Sequence, residues 1–271
     1  MNYIDFEKGT CPIIFISSHD GNWYLKGVKE LCDRYYRDKR VNKILRSMID
    51  ILRSKYKDSP YYIVSNIGRT QIDMNRPKKY GAKTKLTRSI WLFYHKKIRE
   101  FISDCVKIFG YCMVFDLHGF FRKTDTIQLG YGLDDYEIEQ NKCENSSLQP
   151  LSKTFKITAE QLMYGKNSLC DIIEKNGLEC IPNSRQRENL KLYFNGGFIT
   201  RYYSNKYKNK AVGIIQVEFP KKMRSNKNIP KTSRVLAKSI MQFMEKIKNK
   251  KKRTHKKRLK RKKNRKRTRK H

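Results

Sequence analysis

Four short apolar runs rich in β-branched and aromatic residues constrain this chain more than any other feature: Pro12 to Ser17, Tyr61 to Asn66, Tyr111 to Leu117 and Gly213 to Glu218. Runs of this length and composition read as buried strands. Helical spacing fills the intervals between them. Val41 to Lys55 places Val41, Ile44, Leu45, Met48, Ile51 and Leu52 on one stripe, and Arg88 to Phe109 does the same with Trp91, Phe93, Tyr94, Ile98, Phe101, Ile102, Val106 and Phe109. Ala159 to Lys175 and Ser233 to Ile247 are two further candidate helices. Strands alternating with helices predict an α/β sheet covered on both faces, in one catalytic-size domain over residues 1–245. The segment from Arg122 to Lys156 lacks a period and reads as an excursion of loops with one short element at most.

The formal net charge of +37 is partly concentrated, because Lys246 to His271 carry 18 Lys or Arg and no acid. Like charges at every i, i+4 spacing and no apolar face predict a disordered polybasic tail over residues 246–271. Such a polycation attracts phosphates through counterion release, so nucleic acid is a candidate partner and the nucleus a candidate location. The 7 cysteines are scattered without a Cys-x-x-Cys pair, which suits reduced thiols in an intracellular compartment rather than a disulfide framework. Met1 to Lys8 carries acids and no apolar run, so no signal peptide is expected, and no stretch approaches a membrane span.

Chemistry-bearing residues sit at the ends of the expected strands. His19 follows Ile13 to Ser18, His118 closes Met113 to Leu117, and Glu218 closes Ile214 to Val217. In open α/β sheets ligands bind at the carboxyl ends of strands, so three strands deliver polar groups to one edge. Gly21 and Gly119 let the backbone turn sharply beside each ring. Taken together the two histidines favour zinc, whereas His95, inside an amphipathic helix, reads as a packing or hydrogen-bonding residue. Period two places Asp116 on the same side as His118, able to orient its ring, and Gln216 on the same side as Glu218. A glutamate at the end of an apolar strand suits a general base for metal-bound water. Arg69, Asn75 and Arg76 form a second polar cluster, and Tyr193 to Arg201, with Gly196 and Gly197, a third.

The segments Ser17-Ser18-His19-Asp20-Gly21, Arg69 with Ile72-Asp73-Met74-Asn75-Arg76-Pro77, Asp116-Leu117-His118-Gly119, Leu129-Gly130-Tyr131, Asn195 to Arg201 and Ile215-Gln216-Val217-Glu218 occur in the order seen in N-formylglutamate amidohydrolases. Over roughly Pro12 to Arg224 the chain therefore resembles that family, a relative of the zinc carboxypeptidases. The resemblance implies a mixed-sheet phosphorylase/hydrolase-like fold and zinc-assisted cleavage of an amide in a small anionic N-acyl amino acid such as N-formyl-L-glutamate. It also implies His19 and His118 as zinc ligands, Glu218 as general base, and Asn75, Arg76 and Arg201, with Arg69, as substrate-binding residues. Zinc carboxypeptidases take a Glu three residues after the first His, where this chain has Asn22. The third ligand is matched instead to Asp38, with Asp33 and Asp20 as alternatives. A peptidase acting on larger substrates and a nucleic-acid-binding protein on a hydrolase-like scaffold are the competing readings.

Overall fold

The structure, a computed structural model, describes residues 3–31, 36–122, 124–183 and 194–267, with side chains to residue 249. Strands β1 (Ile4–Glu7) and β2 (Ile13–Ser17) lead to helix α1 (Val41–Ile51), which runs on into a π turn, and to β3 (Tyr61–Ser65). A short α2 (Lys78–Gly81) and the long α3 (Lys85–Phe109) precede β4 (Cys112–Phe120) and β5 (Ile127–Gly130). Then come α4 (Asp135–Glu139), α5 (Gln149–Phe155), α6 (Ala159–Met163), α7 (Leu169–Lys175) and β6 (Cys180–Ile181). Helix α8 (Phe198–Lys206), β7 (Val212–Pro220) and α9 (Ile229–Arg267) complete the chain.

The strands form one mixed sheet in the order β1-β3-β2-β4-β7-β5-β6. The four runs read as strands from sequence are its central members, β3, β2, β4 and β7, all mutually parallel. Their continuous apolar sequences follow from burial on both faces. Ile13 and Phe15 pack on one side against α1 and α9, while Ile14 and Ile16 pack on the other against α3. Helix α3 owes its clean ends to local chemistry: the Thr84 side chain and Thr87 form a reciprocal cap at its start, and Gly110, at φ 76°, closes it in the left-handed conformation.

Several elements differ from the sequence expectations. The Arg122 to Lys156 segment is no loop excursion: it holds β5, paired antiparallel with β7, and helices α4 and α5. The single helix expected over Ala159 to Lys175 is two, because the chain turns at Gly165 and Ser168 caps the second one through the Asp171 N–H. β1 and β6 lie at the sheet's ends and are too short to show a period. The boundary set at residue 245 from charge falls inside α9: Ile247 is buried, and helical backbone runs on to Arg267, as the helix propensity of Lys and Arg allows. Among the described residues no helix is long and apolar enough to cross a membrane.

His95 is a core residue, as its helical position suggested. It is fully buried, with Nδ1 2.8 Å from the Tyr203 hydroxyl and Nε2 3.1 Å from the Met74 carbonyl, joining α3 to α8 and to the chain before α2. Burial pushes its pKa down to about 3, against the opposing hydrogen bond to Met74. The folded state therefore holds a neutral ring while the unfolded ring takes a proton near its ordinary value, so this stability is full above about pH 6.5 and is lost as pH falls toward 3. Between pH 6 and 4, the unfolding free energy of the parent should fall by roughly 1 kcal/mol per pH unit more than that of His95→Gln. Parallel urea titrations check it, and equal slopes would show that His95 is not held neutral.

Candidate active site

Parallel register brings the ends of β2, β4 and β7 together. His118 lies beside Glu218 across β4 and β7, and His19, two residues beyond β2, brings its ring centroid within 4.7 Å of that of His118. Asp38 arrives from the chain entering α1, where its own N–H donates to the His19 carbonyl at 3.1 Å. Asp38 Oδ2 then sits 3.2 Å from His118 Nδ1 and 3.6 Å from His19 Nδ1, and accepts the Gly119 N–H at 3.1 Å. All three side chains are buried, and their donor atoms lie within 4.8 Å of one another. Asp20 is turned elsewhere: its carboxylate accepts the Asn42 N–H in the first turn of α1 and the Arg37 Nε–H, anchoring the segment that carries Asp38. Asp33 lies outside the described residues.

Each imidazole is held from its far side. His19 Nε2 donates to Asp73 Oδ1 at 2.8 Å, and Asp73 Oδ2 in turn accepts the Arg69 Nε–H at 3.0 Å. His118 Nε2 lies 3.1 Å from Asp116 Oδ1 and 3.1 Å from Asn75 Nδ2. The proton of this ring thus has two alternative homes, Nε2 toward Asp116 or Nδ1 toward Asp38. With the proton on Nε2, the Nδ1 lone pairs of both rings face the Asp38 carboxylate. Burial works against charge on Asp38, but His118 and His19 hold its carboxyl well below the usual carboxylate range. Asp73 is likewise held low against burial, by His19 and Arg69. Glu218 goes the other way, because burial raises its pKa to about 7.

These residues fit a divalent cation. His19 Nδ1 has no hydrogen-bond partner among the described residues, and neither oxygen of the fully buried Asp116 makes a well-directed one. Four buried carboxylates, Asp38, Asp73, Asp116 and Glu218, share the site with two imidazoles and the Arg69 guanidinium. A cation between two imidazole nitrogens and a carboxylate oxygen, with carboxylates behind the rings, is the arrangement zinc takes in proteins.

The site opens into a cleft of about 880 Å³ lined by all eight residues singled out in the sequence: His19, Asp38, Arg69, Asn75, Arg76, His118, Arg201 and Glu218. They do different things there. Asn75 accepts the Ile199 N–H on Oδ1 at 2.7 Å while its Nδ2 faces His118, so its amide braces the site. Gly197 is obligatory beside it, since a Cβ would come within 2.4 Å of Asn75 Nδ2. Arg201 donates to the Gly132 and Leu133 carbonyls and to Asn195 Oδ1, which holds the cleft wall. Arg76 is half exposed, with its nearest carboxylate oxygen 3.9 Å away on Asp73, and is the best placed of the three arginines to meet a ligand. Gln216 donates to Glu218 Oε1 at 2.8 Å and accepts the Gly197 N–H, fixing the carboxylate against the wall.

Sequence reading gave no role to Asp73, although the apolar neighbours Ile72 and Met74 mark it as a buried acid. It also passed over Arg224, which is 2% exposed. The Arg224 guanidinium donates to three carbonyls, Lys39 at 2.6 Å, Phe120 at 2.8 Å and Phe219 at 3.1 Å. Lys39 follows Asp38, Phe219 follows Glu218, and Phe120 lies two residues beyond His118. One side chain thus ties together the segments that carry Asp38, His118 and Glu218.

A scan of protein-family models and a search of curated proteins both find no match. Among solved structures, the chain is similar to N-formylglutamate amidohydrolase from Ralstonia eutropha JMP134, with a TM-score of 0.60 and 11% identity over 92% of this chain and 99% of that one. It is also similar to the gene product Atu2144 from Agrobacterium tumefaciens, with a TM-score of 0.53 and 11% identity over 91% and 96% of the two chains. The mixed-sheet α/β hydrolase-like fold expected from sequence is thereby shared across nearly the whole chain.

Replacing Arg224 by Lys keeps the charge but removes the fork that reaches three carbonyls at once. Arg224→Lys should lower the unfolding free energy by about 2–3 kcal/mol, the scale for buried carbonyls losing charge-assisted donors. Chemical denaturation measures it, and a loss below about 0.5 kcal/mol, typical of an exposed substitution, would mean the three contacts contribute little.

Proposed function

We propose that the chain is a zinc-dependent amidohydrolase that cleaves the amide of N-formyl-L-glutamate or a similar small anionic N-acyl amino acid. The observation that carries this reading is the convergence of His19, His118 and Glu218, from the carboxyl ends of three parallel strands, with Asp38 beside them in the wall of a cleft. The shared fold with a solved N-formylglutamate amidohydrolase supports it.

In this reading His19 Nδ1, His118 Nδ1 and an Asp38 oxygen hold the zinc, which when bound polarises the amide carbonyl and acidifies water. Asp73 keeps the His19 proton on Nε2, and Asp116, 3.1 Å from His118 Nε2, would accept that ring's proton when its Nδ1 serves as the donor atom. Glu218 takes the proton of the attacking water on its carboxylate and returns it to the departing amine nitrogen. Its pKa of about 7 suits both halves of that transfer, because a base poised near neutrality is also a competent acid. Gln216 keeps one Glu218 oxygen oriented while the other faces the cleft. The Arg76 guanidinium pairs with a substrate carboxylate, and Arg69, already tied to Asp73, adds positive potential behind it.

Elemental analysis should find close to one zinc per chain in the parent and a large loss in His19→Ala and His118→Ala; unchanged occupancy in both would sink the ligand assignment. Glu218→Gln should keep metal and fold while turnover of N-formylglutamate drops by about 10²-fold or more. Full activity in that variant would exclude Glu218 as the base. Arg76→Lys should raise KM for acidic N-acyl substrates without a matching change for neutral ones, which a comparison of N-formylglutamate with the uncharged α-amide of N-formylglutamine tests.

A further inference from the structure

Next to the cleft lies a second hollow of about 730 Å³, lined by Arg40, Arg122, Lys221 and Lys222 together with Phe121 and Asp125. Phe121 and Arg122 line the catalytic cleft as well, so the two spaces adjoin. Arg122 stands on the boundary, its guanidinium carbon 4.4 Å above the ring of Phe194, a residue of the cleft wall. Asp125 pairs with Lys222 at 2.5 Å, and among the described residues no acid pairs with Arg40, Arg122 or Lys221.

In a chain this basic an exposed lysine means little by itself. The origin of these cations is what distinguishes them. Three of the segments that deliver site residues run on directly into one: Asp38 to Arg40, His118 to Arg122, and Glu218 to Lys221. The Arg224 clamp fixes all three segments to one another, so the cations converge on the same side of the site. Arg40 is held there with φ 72°, a left-handed backbone that a non-glycine residue adopts only under constraint. The formyl group of N-formylglutamate has a single carbon, whereas the hollow adds about 730 Å³ beside the cleft.

We infer that the basic hollow is an extended anion subsite and that the acyl group of the N-acyl amino acid cleaved here is itself an acidic peptide, with the scissile amide over Glu218 and further carboxylates lying between Arg40, Arg122 and Lys221. The inference rests on the hydrolase reading only in choosing a peptide over a nucleic acid: both are polyanions, but the peptide carries the amide that the site is built to attack. Charge attraction of this exposed kind acts mainly on binding and weakens with salt.

The test uses the full-length, zinc-loaded protein and two fluorescein-labelled pentapeptides, one of glutamate and one of glutamine. Binding is followed by anisotropy near physiological salt, with amine release measured on the unlabelled peptides and on N-formylglutamate. The parent should prefer pentaglutamate, and Arg122→Gln/Lys221→Gln, whose polybasic C-terminus is unaltered, should lose about five- to tenfold of that affinity, the scale for two exposed charges. Unchanged affinity in the double variant would overturn the subsite and place the attraction elsewhere on this basic chain. A pentathymidylate that binds as tightly as pentaglutamate and is weakened equally by the double variant would overturn the peptide assignment. Variant-sensitive peptide binding with no amine release from any substrate would keep the anion subsite and sink the hydrolase reading. Hydrolysis of N-formylglutamate with no preference for pentaglutamate would do the reverse.

Discussion

Carboxylates removed from water must find positive charge or strong donors close by, and this requirement organises the centre of the molecule. Asp38, Asp73, Asp116 and Glu218 are all nearly inaccessible and crowd one edge of the sheet. Asp38 satisfies the requirement with two imidazoles and a backbone N–H, Asp73 with His19 and Arg69. Glu218 has only the neutral Gln216 amide as a hydrogen-bond donor, and burial raises its affinity for a proton. Carboxylates a few ångströms apart thus have opposite tendencies toward protons, set by their partners rather than by their kind. The proposed hydrolysis would use both tendencies at once, one in a group that stays charged and the other in a group that exchanges protons.

Such a cluster holds only if the backbone around it cannot relax. The polar residues bordering it mostly grip main chain. Asp20 binds the first turn of α1, Asn75 the start of α8, Gln216 the Gly197 N–H, and Arg224 three carbonyls on three segments. Glycine at 119 follows from the same arrangement, because a Cβ there would fall 2.6 Å from Arg224 Nε. Part of the polar composition near the cleft is therefore scaffolding, and a residue's presence in the wall does not make it a ligand. Asn75 and Arg201 illustrate this, both lining the cleft with their donors engaged by the protein.

The parts of the fold that sequence made legible are those buried on both faces. β2, β3, β4 and β7 announce themselves as apolar runs because helices cover each side of the sheet. β1, with two exposed residues in four, and β6, with only two residues, carry no such signature, and β5 hides its period behind Gln128 and Gly130. The same logic governs the site. His19, His118 and Glu218 were readable because a polar residue closing an apolar strand is conspicuous. Asp38 has no such context and was reached only through family resemblance. Arg224 was invisible, since one arginine among 62 basic residues gives no sign of burial. Arg122 and Lys221 were invisible for the same reason, and only the meeting of β4 with β7 shows that they face a shared space.

The order of the site residues along the chain has a further consequence. The donor set His19, Asp38 and His118 is complete once β4 has been made, whereas Glu218 and Arg224 wait for β7 and the turn after it, with β5, β6 and helices α4 to α8 in between. Domains begin to organise from the N-terminus during synthesis. On the proposed assignment, a chain emerging from the ribosome would present its metal-binding atoms well before it possesses a base to use them. On that assignment the pairing of β7 with β4 is the step that joins the donor atoms to the base, and Arg224, made last, locks the two together.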